Sequence, residues 1–285
     1  MSSDLAQGIL KCVQEVVAPN KKIYRTLSLE ARDSLSAEFK TLKRDVEIAA
    51  LNLEVWPRRY LRNAGSLGTA GQKKLLQSRA LLIGTGGLGG TIAQLLARMG
   101  LGCLVIADGD VFSEENLNRQ AFASEQNVGL SKVQVVQSEI LKINAATEVK
   151  TFDGYIEDED LASLLTGADV AIDALDNMPS RFMLEKGCKE AGVPLVHGAV
   201  AGFSGQVMVI YPEDIGFTAI YGDGKTLPEK GIEVELGNLA GIVSAVASLQ
   251  VQEAIKIITG LGRPLRSRLL FLDSLSGSAE IISLK

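Results

Sequence analysis

The sequence predicts an α/β protein, a doubly wound and mostly parallel sheet whose C-terminal strands turn antiparallel, preceded by a helical N-terminal extension. Three observations predict it. From Ala80 onward, short apolar runs alternate with stretches of helical period. The first run ends in a glycine-dense turn, Gly84-Thr85-Gly86-Gly87-Leu88-Gly89, that opens a helix. Residues 1–55 have helical periodicity and no chemistry-bearing motif.

In that extension, Leu5, Ile9, Cys12, Val13 and Val16 recur at helical spacing before Pro19 breaks the pattern, which predicts an amphipathic helix over 5–17. Ser28 is a candidate N-cap for a longer helix, because Leu35, Phe39, Leu42, Val46 and Ala49 repeat every three to four residues down to Leu53. Trp56-Pro57 ends it, and residues 56–285 are expected to form the main domain.

There, a strand over 80–83, the glycine turn, a helix over 88–99 and a strand over 104–107 make a βαβ unit. Strands are predicted over 149–152, 170–173 and 194–197, with helices over 132–143, 158–166 and 180–190 between them. The run 206–211 follows after only a glycine-rich connection, which predicts an antiparallel pairing. Residues 213–238 hold five glycines and eight charged residues without periodicity and read as a loop. A helix over 239–259 and a hairpin of 269–273 with 280–284 close the chain.

A net charge of −5 without a lysine or arginine cluster predicts no nucleic-acid partner. No run of about 18 uncharged apolar residues appears, so no membrane span is expected and the cytoplasm is the default location. Cys12, Cys103 and Cys188 form no CxxC pair, which leaves little for zinc. His197, the sole histidine, reads as a hydrogen-bonded residue at a strand end, and Cys188 as a small core residue.

The glycine turn, following a strand and opening a helix, lets backbone N–H groups and the helix N-terminus approach phosphate. Asp108, 19 residues after Gly89, sits where a carboxylate accepts from ribose hydroxyls. These two features fit a nicotinamide dinucleotide as well as a nucleoside triphosphate. The rest favours the triphosphate: Asp108-Gly-Asp110 runs into Asn116-Leu-Asn-Arg119-Gln120, and Gly129-Leu-Ser-Lys132 opens the next helix. An arginine and a lysine near one pocket suit a triphosphate with a leaving pyrophosphate. Asp173-Ala-Leu-Asp176-Asn177 closes another strand, and a carboxylate there beside phosphates is a natural Mg²⁺ ligand.

Arg59-Tyr-Leu-Arg62, Gly71-Gln-Lys-Lys-Leu75, GTGGLG, DGD, NLNRQ, GLSK, DALDN with Ser180-Arg181, and Gln250-Val-Gln-Glu253-Ala-Ile-Lys256 occur in order. Over roughly residues 58–284 the chain resembles the ThiF/MoeB/HesA family, related to ubiquitin-activating enzymes. The resemblance implies a Rossmann-like, ATP-dependent adenylyltransferase that activates the C-terminal glycine carboxylate of a small ubiquitin-like sulfur-carrier protein ending in Gly-Gly. It implies that Gly84, Gly86, Gly87 and Gly89 form the phosphate turn and that Asp108 binds ribose, with Asp110 beside it. Asn116, Arg119 and Lys132 would hold phosphates, and Asp176 would position Mg²⁺. Arg62 would reach into the neighbouring subunit's site, which makes a homodimer part of catalysis.

Many relatives carry two zinc-binding CxxC pairs; this sequence has neither, so no zinc is expected. Segment 213–238 has no cysteine, which predicts adenylation without a covalent carrier intermediate there. The alternatives are adenylation of another carboxylate, such as one on a modified tRNA base, a nicotinamide-dependent oxidoreductase, and a non-catalytic ATP-binding scaffold.

Overall fold

The computed structural model describes residues 3–19, 21–222 and 231–284. The chain begins with helix α1 (Ser3–Lys11), the hairpin β1 (Gln14–Val17) and β2 (Ile23–Leu27), helices α2 (Leu29–Glu38) and α3 (Lys43–Asn52), and the short strand β3 (Trp56–Pro57). The extension is thus helical in part only. The helix expected over 5–17 stops at Lys11, because Val16 and Val17 are β-branched and pair better on a strand. Leu5 and Ile9 are buried, and Cys12 and Val13 still pack on the same cluster, so the apolar spacing marks the core without marking a continuous helix.

The single helix expected from Ser28 to Leu53 is likewise two. Ser28 caps α2 as expected, its side chain accepting from the Ala31 N–H at 3.1 Å. The chain then leaves the helix at Lys40, whose φ is 49°, and α3 restarts at Lys43. Both helices pack into one core, which is why the stripe reads through the break.

A 3₁₀ turn (Arg58–Asn63) and helix α4 (Ala64–Gln77) lead into the main sheet. Tyr60 is the junction: fully buried, it donates to Glu47 Oε2 of α3 at 3.2 Å and accepts from Asn144 Nδ2 at 2.9 Å. Helix α4 was not expected. Gly65, Gly68 and Gly71 dilute its pattern, and Gly68 sits at φ 61° in a kink.

The main sheet has eight strands: β4 (Arg79–Ile83), β5 (Cys103–Asp108), β6 (Glu148–Asp153), β7 (Val170–Asp173), β8 (Leu195–Ala201), β9 (Ser204–Ile210), β10 (Arg268–Asp273) and β11 (Ser278–Ser283). Their order is β11-β10-β9-β8-β7-β4-β5-β6. The five from β6 to β8 are parallel, and β9, β10 and β11 are antiparallel, as expected. Helices α5 (Gly87–Met99), α6 (Lys132–Ile143), α7 (Asp158–Leu165) and α8 (Met178–Ala191) make the crossovers.

Segment 213–238 includes two short helices, α9 (Thr218–Tyr221) and α10 (Glu233–Leu236), where only loop was expected; 223–230 lie outside the described residues. Helix α11 (Ala240–Thr259) is long and apolar enough to cross a membrane, yet Val243, Val246, Ala247, Val251 and Ala254 join the sheet's buried core. A second core fills the opposite face. From β4 the chain winds outward to β5 and β6, then returns to β7 on the other side, so the carboxyl ends of β4 and β7 flank a switch point.

Candidate active site

A cavity of about 470 Å³ opens at that switch point. The glycine turn forms one wall. Gly84 has φ 87°, and a Cβ on it would lie 2.5 Å from the Ala174 carbonyl oxygen, so only glycine lets the turn lie against the exit of β7. Gly84, Gly86 and Gly87 line the cavity. Gly89 does not; a Cβ there would lie 1.9 Å from the Gly84 carbonyl oxygen, so it lets α5 pack against its own turn. Helix α5 starts at Gly87 and directs its first unpaired N–H groups to this end of the sheet.

Asp108 ends β5 facing the turn. Its Oδ2 accepts from the Thr85 N–H at 2.6 Å and the Thr85 hydroxyl at 2.9 Å, and its Oδ1 from the Asp110 N–H at 2.9 Å. It therefore braces the turn while lining the cavity. The Asp110 carboxylate takes the buried Lys132 ammonium at 2.9 Å and the Tyr155 hydroxyl at 2.6 Å. The hydrogen bond that the exposed Tyr155 phenol gives to Asp110, and after that the negative charge of Asp110, push the phenol above its ordinary pKa. Asn116 is buried and uses Oδ1 to accept from the Ser113 N–H. Arg119 is half-buried, with Nη1 bonded to the Glu115 carbonyl and Asn118 Oδ1.

Asp176 stands on the opposite wall, exposed, at the end of the turn leaving β7. Asn177 caps α8 by accepting from the Ser180 N–H at 2.9 Å. The fold thus gathers Gly84, Gly86, Gly87, Asp108, Asp110, Asn116, Arg119, Lys132 and Asp176 around one cavity. Arg62 lies elsewhere, exposed on the 3₁₀ turn and outside the lining.

The cavity also uses residues to which the sequence reading gave no role. Gln120 is buried beside Gly86 with its Oε1 unpaired, and Arg181 is buried on α8. Both stand inside the recognisable strings NLNRQ and DALDN…SR, which is the only sequence signal for them. His197 is a fully buried, hydrogen-bonded residue of β8, and Cys188 is buried in the core with its thiol pushed up to about 12 by burial.

Asp108, Asp110, Glu115 and Asp176 line the cavity against Arg119, Lys132 and Arg181, so carboxylates outnumber cations by one. A polyanion bound there needs added positive charge. No cluster of three His, Cys, Asp or Glu residues forms a closed metal site among the described residues. An exposed carboxylate across the cavity from a helix-opening glycine turn fits Mg²⁺ instead, since that ion is held by one or two carboxylates together with substrate phosphates.

Residues 60–285 match the ThiF family. The chain belongs to the ThiF family. Among ThiF relatives it is 33% identical over 219 residues to the SAMP-activating enzyme E1 of Haloferax volcanii, covering 76% of this chain and 80% of that protein. It is 34% identical over 207 residues to the molybdopterin-synthase adenylyltransferase of Escherichia coli, covering 72% and 83%. In fold it is similar to the crystal structure of E. coli MccB with ATP, with a TM-score of 0.69 at 22% identity over 88% of this chain and 78% of that one. That coverage exceeds what residues 60–285 can supply, so the likeness in fold reaches from the ThiF region into the N-terminal extension.

Proposed function

We propose that this ThiF-family chain is an ATP-dependent adenylyltransferase that activates the C-terminal glycine carboxylate of a small ubiquitin-like sulfur carrier ending in Gly-Gly. The observation that carries the reading is one cavity uniting a helix-opening glycine turn, Lys132, Arg119 and the Asp176 carboxylate at the switch point. It continues past Ala199, Val200 and Asn238 toward the start of α11, a course suited to an extended peptide tail. The names of the two ThiF relatives support the same reaction.

A carboxylate is a weak nucleophile toward ATP. The chain's task is to align it with the α-phosphorus and offset charge on the α-phosphate and departing pyrophosphate. In this reading Gly84, Gly86 and Gly87 admit the phosphates, and Asp108 and Asp110 receive the ribose. Asn116, Arg119 and Lys132 bind phosphate oxygens. Asp176 holds Mg²⁺, which supplies charge neutralisation when bound. Lys132 leaves its contact with Asp110 as the phosphates arrive, since both are anionic partners for one ammonium.

The Arg62 side chain is exposed and makes no hydrogen bond or ion pair among the described residues, as suits a residue that completes a partner subunit's site in a homodimer. Residues 56–285 form the adenylation domain, preceded by residues 1–55, which pack their apolar stripe into a core of their own. The reaction belongs to the cytoplasm, with neither zinc nor nucleic acid taking part.

Pyrophosphate exchange into ATP, measured with Mg²⁺ and a panel of Gly-Gly-ending carriers, tests this. Exchange that depends on a carrier and collapses in Arg119→Ala and Asp176→Ala is expected. ATP binding with no exchange for any carrier would overturn it. Mixing Arg62→Ala with Asp176→Ala protein should restore part of the activity that each lacks; no restoration would remove the homodimer from the mechanism.

A further inference from the structure

The turn that presents Asp176, Asp173-Ala174-Leu175-Asp176, contains no glycine. Buried side chains hold it instead. Asp173 Oδ1 accepts from the Leu175 N–H at 2.8 Å, and the Leu175 carbonyl accepts from Arg181 Nη2 at 2.7 Å. The Ala174 N–H donates to the Ile83 carbonyl at 2.9 Å, and the Asp173 carbonyl accepts from Gln250 Nε2 at 2.8 Å. Four backbone groups across three residues are therefore fixed from β4, α8, α11 and Asp173 itself. The Asp176 side chain is left to face the cavity, meeting only Asn177 Nδ2 at 3.4 Å among the described residues.

Asp173 is in turn held from two sides. Its Oδ2 lies 3.5 Å from Arg181 Nε and 2.6 Å from His197 Nδ1. The other ring nitrogen faces Gln206 Nε2 at 3.2 Å, and that amide nitrogen can only donate. His197 therefore carries its hydrogen on Nδ1 and gives it to Asp173. Asp173 and His197 are fully buried and Arg181 nearly so. Such a cluster is a poor device for stability, because well-packed apolar residues of the same volume do as well or better. Fixing a geometry is what it does well.

We propose that Asp173, His197 and Arg181 are positioning residues that hold the Leu175 peptide and, through it, set the Asp176 carboxylate where Mg²⁺ on the ATP phosphates would meet it. The inference rests on the ATP-site reading above. It differs from a purely structural role in one respect: the cluster acts through Asp176, so its loss matters only where Asp176 is present.

The test is the dissociation constant of a fluorescent ATP analogue for the full chain, with and without Mg²⁺. Mg²⁺ should tighten binding to the wild type but not to Asp176→Ala. His197→Phe keeps the edge contact of a ring on Phe217, at 4.8 Å between centroids, but loses the donor. It should lose roughly tenfold of the Mg²⁺-dependent affinity, the scale of a misplaced group, with its Mg²⁺-free affinity unchanged. His197→Asn, which can place an amide N–H where Nδ1–H was, should recover most of it. Added to Asp176→Ala, His197→Phe should cost nothing more.

Equal losses with and without Mg²⁺, or losses that add to those of Asp176→Ala, would overturn the proposal. If His197→Phe does not fold, Asp173→Asn, at a residue that does not line the cavity, carries the same comparison. A wild type that binds no ATP would overturn this inference and the reading beneath it. A wild type that binds ATP, with no coupling to Asp176, would overturn this inference alone.

Discussion

The two walls of the cavity are built by opposite means. On the β4–α5 side the backbone does the work: glycines permit contacts that a Cβ would forbid, and a helix N-terminus supplies donors. On the β7–α8 side the turn has no glycine and is held by Asp173, Arg181 and Gln250, with His197 behind them. Where backbone meets backbone, at Gly84 and Gly89, the β4–α5 wall tolerates no added atom. A wall made of side chains tolerates exchange as long as each buried group keeps its partner.

Gly89→Ala should do the most damage. Its Cβ would lie 1.9 Å from a backbone oxygen that cannot swing away, so a loss of about 3 kcal/mol in denaturant unfolding is expected, with ATP binding abolished. A variant of wild-type stability would refute the backbone account of this wall. His197→Phe should cost about 2 kcal/mol by leaving Asp173 short of a donor, and His197→Asn much less. A larger loss in His197→Asn than in His197→Phe would mean that ring volume, and not the hydrogen bond, is what the side-chain wall needs.

Gly86→Ala separates stability from binding. Its Cβ would meet only Gln120 Nε2 at 3.5 Å, an ordinary contact. The melting temperature should hold while ATP affinity falls roughly tenfold, about 1.4 kcal/mol, because the methyl group projects beside the phosphate path. Unchanged affinity would remove Gly86 from the phosphate turn.

A smaller effect concerns acid stability. Burial lowers the pKa of His197, while Asp173, the strongest opposing influence, raises it; Arg181 and Glu185 also face the ring. The unfolded ring takes its proton near 6.5 and the folded ring only at lower pH, so the unfolded state binds more protons in between. Stability should therefore fall as pH drops below 6.5, and less steeply in His197→Asn. Since this is the only histidine, one ring-proton resonance should stay flat through pH 6.5. A midpoint at or above 6.5 would contradict the buried neutral ring.

The same contrast explains what the sequence revealed. The glycine turn, Asp108 and the cations Arg119 and Lys132 were readable because backbone demands and charge leave a local signature. Helix α6 and strand β7 even have their expected ends, 132–143 and 170–173. The side-chain wall was not readable, since Asp173, Arg181, His197 and Gln250 come from four elements and meet only in the fold. In the extension, one apolar stripe served α1 and the turn after it, Cys12 and Val13, so periodicity located the core and misjudged the elements. Residues 223–230, the middle of the segment predicted to work without a cysteine, lie outside the described residues.

The central claim is that a carboxylate attacks the α-phosphorus of ATP in this cavity. The most direct measurement follows a heavy-oxygen label from the carrier's terminal carboxylate after incubation with the protein, ATP and Mg²⁺, with hydroxylamine added to displace AMP from the acyl carbon. The account predicts the label in AMP, with pyrophosphate as the other product and no transfer in Asp176→Ala. Label in inorganic phosphate, with ADP formed instead, would contradict it.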